Sequence, residues 1–172
     1  MENGIKKILR DKYGLFEKDI EILLEKFTKF SVPKREIILQ EGQTDHYIYF
    51  VEKGIVKSTI LREGREFIIF FALENDVPLS SPNLTESRQS LYTLEAVDTC
   101  ILWRISRKDL ATSFKDSLNL SNWGRMILQE WLTSSSFYFS SIHWMGKKEQ
   151  YQYLLKEMPK LIQRLSMRDL SA

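Results

Sequence analysis

Residues 32–59 read VPKREIILQEGQTDHYIYFVEKGIVKST, and this stretch limits the fold more than any other. Ile37-Ile38-Leu39 is a short apolar run that Glu41-Gly42 breaks. Residues 47–51 are a second run, rich in the aromatic and β-branched side chains that suit a pleated sheet. Lys53-Gly54 then turns the chain, because glycine tolerates the positive φ that tight turns need. Residues 55–61 form a third run, closed by Glu63-Gly64, and residues 67–71 a fourth. Two more follow at 91–96 and 99–105, with Val97-Asp98 between them. Short strands separated by turn residues at regular spacing predict an antiparallel sandwich or roll.

The flanks read as helix. Ile5, Ile8 and Leu9 share a face near residues 2–12, and Gly14 stops that segment. Phe16, Ile20, Leu23, Leu24 and Phe27 recur at helical spacing over 16–30, and Pro33 closes the helical stretch. Ser106 with Asp109 three residues on predicts a capped helix starting at 107. A single long helix is expected over about 116–145. Its apolar or small residues Leu120, Trp123, Ile127, Trp131, Ser134, Tyr138, Ile142 and Met145 recur at steps of three and four, giving an eleven-residue repeat. Such a helix outreaches one small roll, so a second copy is expected to cover it, with Leu120, Trp123, Ile127, Trp131, Tyr138 and Ile142 at the dimer interface; the alternative is a long helix buried on its own domain. Gly146 breaks it, and 148–156 begins another helix that Met158-Pro159 ends.

Several of these pieces occur in a fixed order. Lys34-Arg35-Glu36-Ile37-Ile38-Leu39-Gln40-Glu41-Gly42 is followed by Tyr49-Phe50-Val51-Glu52-Lys53-Gly54, then Glu63-Gly64-Arg65-Glu66, then Leu94-Glu95-Ala96. The series resembles the cyclic-nucleotide-binding β-roll of Crp/Fnr-type bacterial transcription regulators. The resemblance implies an α+β chain: an antiparallel double-stranded β-helix, jelly-roll-like, with N-terminal helices and a long C-terminal dimerisation helix. It implies a sensor domain over 1–115, the dimer helix over 116–146, and the start of a winged helix-turn-helix over 147–172. Asp169-Leu170-Ser171-Ala172 resembles the first helix of that motif, so the chain is expected to be a trimmed form of a longer one. The function implied is a homodimeric regulator that senses a small effector in the roll and controls DNA binding. A ligand-binding or scaffold module without a DNA role is the alternative.

In the family a Glu takes the ribose hydroxyl and an Arg the phosphate of the nucleotide, within a pattern F-G-E, a gap, then R-S/T-A. Aligned on Ala96, Ser90 stands at the Arg, Ser80 at the Glu and Leu79 at the Gly. No glycine occurs between Gly64 and Gly124 to let backbone approach a phosphate. Cyclic AMP or cyclic GMP is therefore disfavoured and the effector unassigned. Ser80, Ser81, Arg88, Ser90 and, on the long helix, Ser134 are the candidate ligand-binding residues.

Composition excludes other chemistry. Cys100 is the lone cysteine, which bars an internal disulfide and a four-cysteine iron–sulfur cluster. His46 and His143 are the two histidines, too few for a jelly-roll metal enzyme, so no metal site and no enzymatic activity are expected. A net charge of +2 gives no strong case for or against nucleic acid. The N-terminus has no secretory h-region, and the longest apolar run is too short to span a membrane, so a cytoplasmic protein is expected.

Overall fold

Glycine-marked turns and alternating apolar strands build a β-roll in the computed structural model, which describes residues 4–140 and 144–165. The strands are β1 (Thr28–Val32), β2 (Ile37–Leu39), β3 (Thr44–Asp45), β4 (Tyr47–Lys53), β5 (Val56–Arg62), β6 (Arg65–Ala72), β7 (Arg88–Gln89), β8 (Thr93–Ala96) and β9 (Cys100–Ser106). They form one sheet in the order β1-β9-β4, a second in the order β2-β8-β5-β6 and a two-stranded pair β3-β7. All the pairings are antiparallel. Val51, Val56, Ala72, Leu94, Ala96 and Leu102 fill the roll's interior with almost no exposure.

The turn before β5 depends on Gly54. Its φ is +101°, and a Cβ there would lie 2.6 Å from the Cys100 sulfur, so both conformation and space require glycine. Cys100 is buried at this turn, where burial, with Asp98 alongside, pushes its thiol up to about 12.

Six helices surround the roll among the described residues: α1 (Gly4–Asp11), α2 (Glu17–Leu24), α3 (Arg107–Asp116), α4 (Leu118–Ser140), α5 (Lys147–Glu157) and α6 (Pro159–Ile162). The Ser106 cap is in place: its hydroxyl accepts from the Asp109 N–H at 3.0 Å. The predicted helix over 16–30 stops at Leu24. Thr28–Val32 becomes a strand, because pairing along β9 satisfies its backbone and overrides the apolar period. The extended backbone that Pro33 requires of Val32 suits a strand end.

The long helix is shorter than expected. α4 runs from Leu118 to Ser140, about 35 Å at a rise of ~1.5 Å per residue, and Met145 lies in a bend outside it. The first four apolar residues of its eleven-residue seam are already covered within the single chain. Leu120, Trp123, Ile127 and Trp131 are 0–5% exposed in this single chain, packed with Tyr13, Phe27, Phe50 and Trp103 against the roll and the N-terminal helices. Trp123 stacks on Phe50 at 5.6 Å between ring centres, and its edge meets Tyr13 and Phe114. Gly124 lets α3 and α4 touch, since a Cβ there would meet the Phe114 ring at 2.5 Å. Leu120, Trp123, Ile127 and Trp131 of the expected dimer seam thus belong to the protein's own core. The Tyr138 side chain, Ile142 and His143 lie outside the described residues.

α5 and α6 fold back onto the roll. Leu161 is fully buried with Ile55 and Val97, and Phe71, Leu73, Leu154 and Met158 pack around them. Arg164 clamps this segment. Its guanidinium meets Asp98 at 2.6 Å and both Glu74 oxygens at 2.9 and 3.0 Å.

Candidate functional site

The loop between β6 and β8 carries most of the candidate ligand residues. It is folded shut. Ser80, Ser81 and Ser90 are each no more than 3% exposed, and Leu79 and Leu84 plug the core beside them. Their polar atoms face inward. The Ser80 hydroxyl donates to the Asp45 carboxylate at 2.5 Å. The Ser90 hydroxyl donates toward the Ser80 carbonyl at 3.1 Å and the Tyr92 carbonyl at 2.6 Å. Bends, not a helix, occupy residues 80–86, so no helix N-terminus is offered to an anion.

Arg107 locks this loop. It begins α3, is fully buried, and its guanidinium pairs with the equally buried Asp45 carboxylate. It also donates to the Asp45 carbonyl at 3.1 Å, to the Ser80 hydroxyl at 3.2 Å and to the Asn83 carbonyl. Asn83 in turn accepts from the Thr85 and Glu86 N–H groups. The sequence reading passed over this arginine as the first residue after a cap. Asp45 and Arg107 are 62 positions apart, and only the fold brings them together.

Arg88 is not near a phosphate site. It stands exposed on β7 and pairs with Glu86 at 2.7 Å. That pairing holds Glu86 below the ordinary glutamate value. His46 is exposed, 3.2 Å from the Ser87 hydroxyl. Among the described residues no group of three or more His, Cys, Asp or Glu side chains is placed to hold a metal ion, and no helix is long and apolar enough to cross a membrane.

Ser134 lies elsewhere. It lines a cleft of about 550 Å³ between α4, the edge strand β6, the turn at 73–77 and Met158. Phe70, Phe71 and Trp131 are walls of this cleft, and Trp131 donates its indole N–H to the Val77 carbonyl at 2.9 Å. At one end Lys12 donates to Asp76 at 3.3 Å, Glu130 at 3.1 Å and the Asn75 carbonyl at 3.1 Å. The Tyr13 hydroxyl donates to Glu130 as well, at 3.2 Å, and burial pushes its pKa up to about 12. Burial would pull Lys12 down, but Tyr13, Asp76 and Glu130 together hold it above its ordinary value. Burial raises Asp76.

The model of the cyclic nucleotide-binding domain family matches residues 29–117 of this chain. The chain belongs to the cyclic nucleotide-binding domain family. No curated protein sequence matches it. Among solved structures it is similar to FixK2 from Bradyrhizobium japonicum, with 22% identity and a TM-score of 0.73 over 84% of this chain and 75% of that one. A Crp/Fnr-family transcriptional regulator from Eubacterium rectale gives 22% identity and a TM-score of 0.71 over 88% of this chain and 70% of that one. The regulatory domain of Toxoplasma gondii PKA with cAMP gives 20% identity and 0.57, over 63% of this chain and only 42% of that one. These likenesses establish an α+β antiparallel roll.

The residues of this cyclic nucleotide-binding domain do not fit the nucleotide itself. A cyclic phosphate carries a charge that a protein must neutralise when it is buried. The loop presents two buried, hydrogen-bonded serines at the positions where the resemblance implies Arg and Glu. The buried guanidinium beside it, Arg107, already donates to Asp45, Ser80 and Asn83.

Proposed function

We propose that this chain is the sensing and dimerising part of a cytoplasmic Crp/Fnr-type transcription regulator. Residues 1–115 form the sensor, 116–146 the dimer helix and 147–172 the beginning of the DNA-binding part. The reading is supported by the family match, the order of the motifs and the likeness to FixK2 and the Eubacterium rectale regulator.

The observation that carries it is the open side of α4. Core residues occupy one stripe of the helix and the cleft a second. The third stripe carries Arg125, Leu128 and Leu132, all exposed, with Ser135 half-buried beside them. Leu128 is 39% and Leu132 69% exposed there. Two leucines one turn apart beside small residues suit close packing on a second copy. A bound effector would shift α4 against the roll, and the shift would reach DNA through the paired helices.

The test is DNA selection by the intact gene product from random duplexes, followed by gel shift. The expected result is a palindromic site with half-sites about one helical turn apart. Failure to enrich any sequence overturns the reading.

A further inference from the structure

We infer that the effector of this protein binds in the cleft between β6, α4 and Met158, not in the loop at 79–90, and that it is a small amphiphile with a flat apolar body and a cationic head. The inference rests on the sensor reading above and names the ligand class for it.

The volume argues first. About 550 Å³ falls within the ~300–1,000 Å³ of ordinary small-molecule sites, while the loop at 79–90 is packed closed around Leu79 and Leu84. The walls argue second. Phe70, Phe71 and Trp131 give aromatic surface for a planar group, and Met158 gives an adaptable thioether edge. The charge argues third. At the polar end Lys12 faces the two carboxylates of Asp76 and Glu130, so the end is net negative. The Glu130 side chain is 42% exposed, and both hydrogen bonds it accepts there fall on one of its two oxygens. A phosphate would be repelled here and an ammonium attracted.

The position argues last. One wall is β6 of the roll, the opposite wall is α4, and Met158 precedes the segment that Leu161 and Arg164 fasten to the roll. A ligand in the cleft therefore touches each of the parts that a signal must connect.

Calorimetric titration of the chain with three probes tests this: tryptamine, indole-3-propionate and cyclic AMP. Tryptamine carries the ring and cation, and indole-3-propionate carries the same ring with an anionic head. Tryptamine is expected to bind at about 2 mM or tighter, from the low end of binding energy per heavy atom for its twelve heavy atoms. Indole-3-propionate is expected to bind at least about tenfold more weakly, because the head charge inverts beside a net negative end. Thr133→Trp, which fills the cleft from an exposed position, should weaken tryptamine at least about tenfold. Glu130→Gln should narrow the preference between the two indoles. Equal binding of both indoles, no tryptamine binding, cyclic AMP as the tightest probe, or indifference to Thr133→Trp would each overturn the inference. A protein that binds palindromic DNA as a dimer but ignores tryptamine loses this inference alone.

Discussion

The Arg107 guanidinium and the Asp45 carboxylate meet in the interior with neither side chain exposed, beside the loop that carries Ser80 and Ser90. The pair welds β3, the start of α3 and the loop at 80–83 into one unit. Arg107 closes the loop, and the anion it holds is the chain's own Asp45.

Removing one partner of such a pair leaves a buried charge alone. Arg107→Met should therefore cost about 3–5 kcal/mol of stability, read from urea unfolding. Arg107→Lys should not restore it, since one ammonium cannot replace a planar fork that reaches Asp45, Ser80 and Asn83 together.

Cyclic AMP should give no saturable heat with the wild-type chain. Ser90→Arg should not install binding. Ser90 is 3% exposed and its hydroxyl lies among carbonyls, so a guanidinium there would disrupt the loop before it met a phosphate. Melting temperature with and without nucleotide checks both points; a rise with cyclic AMP would show that the loop opens.

Trp131→Ala should destabilise the single chain by about 3–5 kcal/mol, as for a large buried aromatic. The expected loss includes the hydrogen bond to the Val77 carbonyl. The same loss is expected in the monomeric Leu128→Glu/Leu132→Glu variant; if Trp131 sat at a dimer interface, the loss would vanish there.

The Arg164 clamp should release in acid. Burial pushes Glu74 up, but N–H donors, its own and Gly54's, together with Arg164, bring it below the ordinary glutamate value. A carboxylate with a lowered folded pKa contributes fully above its unfolded value and loses that contribution as pH falls through the folded one. Amide exchange at Leu161 and Arg164 should thus speed up only below the ordinary glutamate range, and Glu74→Gln should speed it at neutral pH.

The strands that carry their own turn chemistry were legible in the sequence: Ile37–Leu39, Tyr47–Lys53, Val56–Arg62 and the Ser106 cap stand where glycines and capping residues put them. β1, β3 and β7 were not, because pairing partners far along the chain make them strands. The α4 periodicity revealed a buried stripe correctly but not what buries it. Spacing reports that a face is covered, and both a second copy and the chain's own roll would cover it alike. Residues 73–90 were legible as a loop, but the inward hydrogen bonds of Ser80 depend on Asp45 and Arg107, which no local pattern joins.

The most direct measurement is sedimentation equilibrium of this chain beside its Leu128→Glu/Leu132→Glu variant. The account predicts twice the chain mass for the wild type and a folded monomer for the variant, because these leucines stand exposed on the third stripe of α4. A wild-type monomer, or a variant dimer as tight as wild type, would contradict it.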